Sequence, residues 1–532
     1  MAQAQLLAGQ SGLPVDNPTE SYWHKEPSEK LLGHRTTKEL PRSADVVIVG
    51  SGITGSFAAH FLKEKRPELE VVMLEAREAC WGATGRNGGH CQPAVYASSA
   101  PHIASFELRN FSYLKNLVEE FSIACDWRST SGVHAFYSAE LFAIAKDIVA
   151  SLTDEYPDLA ANVAVVTKPD KGAAADDLGG TPTYLLEGER RELTLDGLRV
   201  PNSEGAVVQW NAASLWPYKL VAFVLERLLA ATDVEGSFNL QTTTPVTGLS
   251  RAETSASLSS PGSKSTSTWT VHTPRGTIVA SQVLLATNGY TSHLLPQFSD
   301  LIVPTRGQVS ALKPPQEPST PEDAPLDIAH TYYIVGEPDD AFARDDYLVQ
   351  RPPPSALLVY GGGRQHAAGR GVGVWDDGSV DEPVAWYLRG ELGSVVDLSL
   401  HHHATSGTPQ TEEKREGAKK QDLEPTHEWT GIMGYTRDGH PFVGTVPESL
   451  GGGDGLWLCA GYTGHGMPNA VLSAKAVVDM MYGDDDGDDD GVEVDLPPEY
   501  ELTERRVAHA RMREDVAVVD AKGSLYMDFA NR

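Results

Sequence analysis

Cysteine is scarce in this chain. Four occur among 532 residues, Cys80, Cys91, Cys125 and Cys459, and no two have CxxC spacing. That pattern argues against a zinc knuckle or a disulfide framework and fits a reducing, cytoplasmic compartment. Positive charge is also in short supply: 43 Lys and Arg stand against 73 Asp and Glu, a formal net charge of −30. Such a surface repels phosphate backbones, so no nucleic-acid partner is expected. No apolar run reaches the ~18 residues of a membrane span, so no membrane association is expected. The start, MAQAQLLAGQSGLPVDNPTE, lacks the basic region and apolar core of a secretory signal. No metal site is read; His401–His403 sits in a polar insertion and reads as solvated. The rest is globular in composition, 40% hydrophobic and 22% charged.

Glycine is plentiful, and locally dense. Residues 82–93 read GATGRNGGHCQP, a composition that suits neither helix nor strand interior and belongs where backbone must approach something closely. Upstream, residues 44–76 read ADVVIVGSGITGSFAAHFLKEKRPELEVVMLEA. The run Asp45–Val49 predicts a buried parallel strand, 53–65 a helix ended by Arg66-Pro67, and 70–74 a second buried strand: a βαβ unit. Gly50-Ser51-Gly52-Ile53-Thr54-Gly55 fills the turn as GxGxxG. Gly50 permits the tight turn, Gly52 lets backbone near a pyrophosphate, and Gly55 lets helix pack on strand, with the helix N-terminus facing the phosphates. Glu75, twenty residues past Gly55, stands where a carboxylate accepts ribose hydroxyls. The fingerprint alone leaves NAD and FAD open, and a glycine turn in another α/β fold is its bland reading. The glycine loop directly after Glu75 suits a long, flat ligand running past the pyrophosphate.

Further along, helices are predicted over 103–121 and 216–231. A hairpin turning at Pro274–Gly276 leads into a buried strand at 283–286, and strand, glycine turn and helix follow over 455–481. Nucleotide-type pieces thus recur near both ends and in the middle. The expected organisation is an arm over 1–43, a discontinuous nucleotide-binding domain over 44–124, 206–300 and 428–483, a substrate domain over 125–205 and 301–427, and an acidic loop and tail over 484–532. Stretches 252–268 and 484–491 are of low complexity.

The GxGxxG with Glu75, the GATGRNGGH loop, ATNGY at 286–290 and GYTRDGHPFVG…GLWLCAGYTGHGMPNA near the C-terminus together resemble the D-amino-acid-oxidase-like FAD superfamily. Within it, the glycine loop and GGGR at 361–364 are most similar to the γ-glutamylputrescine oxidase branch. The resemblance implies an α/β (α+β overall) fold: a Rossmann-like FAD-binding domain and a second, mainly antiparallel β-sheet substrate domain. It implies FAD contacts at Gly50, Gly52, Ile53, Thr54, Gly55, Glu75, Ala76 and Arg77. Thr84, Gly85, Arg86, Asn87, Gly88, Gly89 and His90 would follow in the loop, then Val246 at the adenine and Ala286, Thr287 and Gly289 beside the pyrophosphate. Gly461, Tyr462, Thr463, Gly464, His465, Gly466 and Met467 would form the turn under the flavin.

The reaction it implies is oxidation of a C–N bond in a small amine or amino acid by hydride transfer, with O2 as acceptor and hydrogen peroxide as product. A dehydrogenase with another acceptor, a non-catalytic FAD protein and an NAD enzyme are the alternatives. Met433 stands near the place where sarcosine-type relatives carry a flavin-tethering Cys, so non-covalent FAD is expected. Pro468 stands where those relatives anchor a carboxylate with Lys, and LLVYGGGR offers Arg364 but no Lys for O2. Candidate catalytic residues are His465, His90, Arg306, Arg364 and Tyr347. Each arginine has a reading as an anion binder and another as a local salt bridge. His90 and Cys91 have open roles; the thiol is reactive only if its surroundings favour thiolate.

Overall fold

Val46 to Val49 are buried on both faces of their strand, β1 (Ser43–Val49), because parallel neighbours flank it on either side. In the computed structural model, which describes residues 6–98, 100–168, 183–186, 189–231, 236–251, 268–315, 326–337, 340, 344–399, 422–483 and 494–512, β1 is followed by α1 (Ile53–Lys65) and β2 (Val71–Leu74). The parallel order runs Phe238–Gln241, β2, β1, Gly276–Leu285, Leu456–Ala460. An antiparallel hairpin, Gly248–Arg251 with Trp269–Thr273, extends the early half of Gly276–Leu285, and Phe442–Thr445 flanks Leu456–Ala460. Helix α1 packs against Pro217–Ala230 and Ala470–Tyr482. The βαβ unit, the long amphipathic helix α2 (Pro101–Glu120) and the helix Ala470–Tyr482 lie within two residues of their expected bounds.

The second sheet has nine strands among the described residues. Its order is Pro425–Thr436, Ile302–Leu312, Leu358–Gly362, Asp345–Gln350, His330–Val335, Arg128–Phe136, Gly205–Ser214, with His90–Cys91 and Val163–Thr167 both pairing to Gly205–Ser214. Every pairing is antiparallel except His330–Val335 with Arg128–Phe136. Two strands differ in sheet from expectation. Residues 206–214 and 428–436 are expected in the nucleotide-binding domain, but their backbone hydrogen bonds go to the second sheet.

The glycine loop joins the two sheets. It leaves β2 and ends as the short strand His90–Cys91, where His90 pairs with Ser214. The N-terminal segment, expected as an extended polar arm, is instead packed beneath this loop. Tyr22 and Trp23 are 1% and 0% exposed; the Trp23 indole donates to the Asn87 carbonyl at 2.6 Å and the Ser21 hydroxyl to that of Gly85 at 2.8 Å. The tail is likewise partly anchored: Tyr500 donates to Asn469 Oδ1 at 2.8 Å and Arg506 binds Asp438. His401–His403, residues 252–267 and the acidic run 484–491 lie outside the described residues.

Candidate active site

A cleft of about 370 Å³ runs between the sheets. Its first end is the GxGxxG turn. Gly50 has φ +107°, and a Cβ there would lie 2.6 Å from the Ala286 carbonyl oxygen. A Cβ on Gly55 would lie 2.0 Å from the Gly50 oxygen, so Gly55 serves helix–strand packing and does not line the cleft. At Gly52 the Cβ would come within 3.1 Å of Thr84 Oγ1, which accepts the Ile53 amide at 3.0 Å.

Glu75 closes β2. Its Oε2 accepts from the Ser51 amide (3.0 Å) and hydroxyl (2.6 Å), and its Oε1 from the Arg77 amide (2.9 Å). The same Ser51 hydroxyl accepts the Cys80 amide at 2.9 Å. Ser51 therefore aims the carboxylate, a role masked in sequence by its place at a variable position of GxGxxG. Ile53, Thr54, Ala76, Val246, Ala286 and Thr287 also line this part of the cleft.

Asp377, fully buried, binds Arg77 Nη1 at 3.0 and 3.1 Å and lies 3.3 Å from Arg86 Nε. Arg86 also donates to the Thr430 carbonyl at 2.6 Å and to Thr19 Oγ1 at 2.7 Å. Burial lowers the Arg86 pKa to about 10, although Asp377 opposes this. Two guanidiniums thus share one buried carboxylate. Asp377 carried no sequence signal, since it sits in an acidic loop some 300 residues from Arg77.

The other end gathers His90, Tyr347, Arg364, Asp345, Met433, Tyr435 and the turn 462–468. Asp345 and Asp346 are strand neighbours and face opposite ways. Asp345 pairs with Arg364 Nη2 at 2.6 Å in the cleft. Behind it, buried Asp346 accepts from Tyr360 and Tyr387 at 2.6 Å and from the Gly363 amide at 2.8 Å. Those bonds fix the GGGR turn, where Gly362 and Gly363 have φ +127° and +65°. Burial pushes the Asp346 carboxyl up to about 6.

His90 stands edge-on to Tyr347 at 5.5 Å, and burial drops its pKa to about 3. His465 Nε2 meets Glu107 Oε2 at 2.9 Å; Glu107 also accepts from the Ala94 amide (2.6 Å) and Asn469 Nδ2 (2.9 Å). Thr463 is held at φ +50°, strained for a β-branched residue, by bonds to Thr436. Tyr462 reaches Thr54 at 3.0 Å and so ties this turn to α1. Asn110 caps the following helix through the Leu472 amide at 2.9 Å. Glu107 and Asn110 were missed because both read as ordinary positions of an amphipathic helix.

Several expected contacts do not reach the cleft. Arg306 bonds to Asp376 O and Ser379 Oγ at 3.3 Å and does not line the cleft. Gly85, Gly89, Gly289 and Gly461 pack against Cys80, Trp23, Met433 and Thr436 respectively, which explains the glycines without a ligand. Gly88 lines the cleft but also seats the Tyr347 ring, 2.4 Å from its missing Cβ. Cys91 is fully buried, and burial with Glu107 nearby pushes its pKa up, so the thiolate is disfavoured.

The lining fits FAD. Arg86 Nη1 and His90 Nε2 are buried in the cleft wall without a hydrogen-bond partner. With the glycine cradle they offer polar partners, and the Glu75 carboxylate offers an acceptor, along the length of an extended anionic dinucleotide. Fold and site define a two-lobed flavin-type oxidoreductase. The family model described as FAD dependent oxidoreductase matches residues 45–480, and the chain belongs to that family. It is 21% identical to γ-glutamylputrescine oxidoreductase of Escherichia coli (strain K12) over 464 residues, 83% of this chain and 84% of that protein. Over 98 residues it is 30% identical to glycine oxidase of Pseudomonas aeruginosa; that match spans 17% of this chain and only 26% of that protein. The crystal structure of glycine oxidase from Geobacillus kaustophilus shares the fold, with a TM-score of 0.59 at 17% identity, covering 87% of this chain and 99% of that one. No helix among the described residues is long and apolar enough to cross a membrane.

Proposed function

We propose that this protein oxidises a C–N bond of a small amine or amino acid, with O2 as electron acceptor. The observation that carries the reading is one continuous cleft. It leads from Glu75, past the glycine loop, to an end walled by Tyr347, Tyr435, His90 and Met433. Bound FAD supplies a two-electron acceptor for the hydride. The substrate loses that hydride from carbon and a proton from nitrogen, and the resulting imine is hydrolysed by water. The two electrons and two protons pass in the end to dioxygen, so each amine oxidised to its imine yields one hydrogen peroxide.

The chain's residues orient and exclude water. Arg77, Arg86 and Glu75 would hold the dinucleotide half. Tyr347 and Tyr435 would wall the substrate, and His465, fixed by Glu107, would face the reacting end. The candidate site residues, and a nucleotide lobe and substrate lobe divided along the two sheets, are part of this reading. FAD is non-covalent in it: Met433 rather than a cysteine faces the cleft, and all four cysteines are free and buried. The free thiols also support a cytoplasmic setting.

A second reading, a dehydrogenase passing electrons to another acceptor, draws support from the Arg364–Asp345 pair. Its balanced charge gives little stabilisation to negative charge developing on dioxygen. Anaerobic titration with an amine panel tests the oxidation, and peroxide yield in air separates the two acceptors. A flavin that every amine and amino acid leaves oxidised overturns the proposal.

A further inference from the structure

We propose that the reacting end of the cleft selects an amine that bears no carboxylate on the carbon to be oxidised. The inference rests on the oxidation proposed above and names its substrate class. It follows from how charge is distributed along the cleft. The lining contains three cations among the described residues, Arg77, Arg86 and Arg364. At the dinucleotide end Arg77 and Arg86 share the Asp377 carboxylate, and Glu75 adds a second carboxylate to the lining. At the reacting end Arg364 has a carboxylate of its own, Asp345, at 2.6 Å, and the two cancel.

The other groups at this end add no positive charge. Burial keeps His90 neutral at any ordinary pH, and His134 beside it likewise. His465 is already bound to the buried carboxylate of Glu107, 3% exposed. Pro468, in the turn facing the cleft, has no amide hydrogen to give. A substrate carboxylate entering here would lose its hydration and meet an arginine whose charge Asp345 already offsets. An amine head group meets the phenol side chains of Tyr347 and Tyr435 and the Asp345 carboxylate. The net charge of −30 acts in the same sense at longer range, drawing cations in and repelling anions.

The test uses the FAD-loaded protein and matched pairs that differ only by the carboxylate: methylamine with glycine, ethylamine with alanine, benzylamine with phenylglycine. Anaerobic reduction of the flavin is expected to favour the amine of each pair by at least about tenfold in rate at low concentration, the scale of one unmet charged hydrogen bond. Amino acids reducing the flavin as fast as their amines overturn the inference while leaving the oxidation intact.

A second arm reads binding alone, by perturbation of the flavin spectrum with tetramethylammonium and acetate. Wild type is expected to bind the cation more tightly. Asp345→Asn, which removes the carboxylate facing Arg364, is expected to tighten acetate by about tenfold. If no compound reduces the flavin, the oxidation reading falls, and this arm still decides: tighter binding of acetate than of tetramethylammonium by wild type overturns the inference. The wild-type measurements stand whether or not the variant folds.

Discussion

Asp377 is the residue on which the dinucleotide end depends most. It is 0% exposed and holds Arg77 and Arg86 together. Removing its charge leaves two buried guanidiniums facing each other, and breaking a buried pair of this kind costs about 3–5 kcal/mol. Asp377→Asn is therefore expected to lower Tm by several degrees and to reduce the flavin retained after purification. Unchanged Tm and flavin content would show that the arginines are held by other means.

The buried histidines make a second prediction at this scale. Burial holds His24, His90 and His134 near 3 and His60 near 4, below their ordinary 6.5. Between those values and 6.5 the unfolded chain binds protons that the folded chain refuses. Stability is then complete above pH 6.5 and falls as pH falls, by up to about 1.4 kcal/mol per pH unit for each group. Urea unfolding at pH 7.5 and 5.0 should show that loss, and His134→Gln should reduce it. A flat profile contradicts the assignment.

Among elements, the glycine loop and the N-terminal segment act as one unit. Trp23 fills the space beside Gly89, where a Cβ would lie 2.8 Å from its ring, and bonds to Asn87. Trp23→Ala is expected to cost about 3–5 kcal/mol and to loosen the flavin, read by urea unfolding and by the ratio of bound flavin to protein. Gly52→Val places side-chain atoms against Thr84 and should weaken FAD binding by at least about tenfold without preventing folding. Holo-protein recovered at normal flavin content from Gly52→Val would contradict the role given to this turn.

What was legible in the sequence follows from range. The βαβ unit, its glycine turn and Glu75 are local patterns, set by apolar periodicity and by positions that only glycine fits, and they stand where expected. The partners of that site are not local. Asp377 reaches Arg77 across 300 residues and Glu107 reaches His465 across 358. Neither carboxylate differs in sequence from a solvated one. The N-terminal segment misled by its polarity, although Tyr22-Trp23-His24 is an aromatic cluster that a free arm has no reason to carry. Arg306 and Arg364 could not be told apart from sequence. Only the fold shows that Arg364, in the turn after Leu358–Gly362, lines the cleft, while Arg306, on Ile302–Leu312, bonds to Asp376 and Ser379.

For the whole molecule, the two sheets meet along a cleft inside a chain of net charge −30. Cationic amines should therefore be captured faster at low salt. Their kcat/KM should fall several-fold between about 0.05 and 0.5 M ionic strength, while a neutral substrate's stays level. Salt-independent turnover of a cationic amine would contradict this.

The most direct measurement of the central claim is the visible absorbance spectrum of the purified protein, followed anaerobically as amines are added. The account predicts a yellow protein whose flavin is released by acid and whose flavin band is bleached by at least one amine. A colourless protein that binds NAD, or a flavin band that no amine or amino acid bleaches, would contradict it.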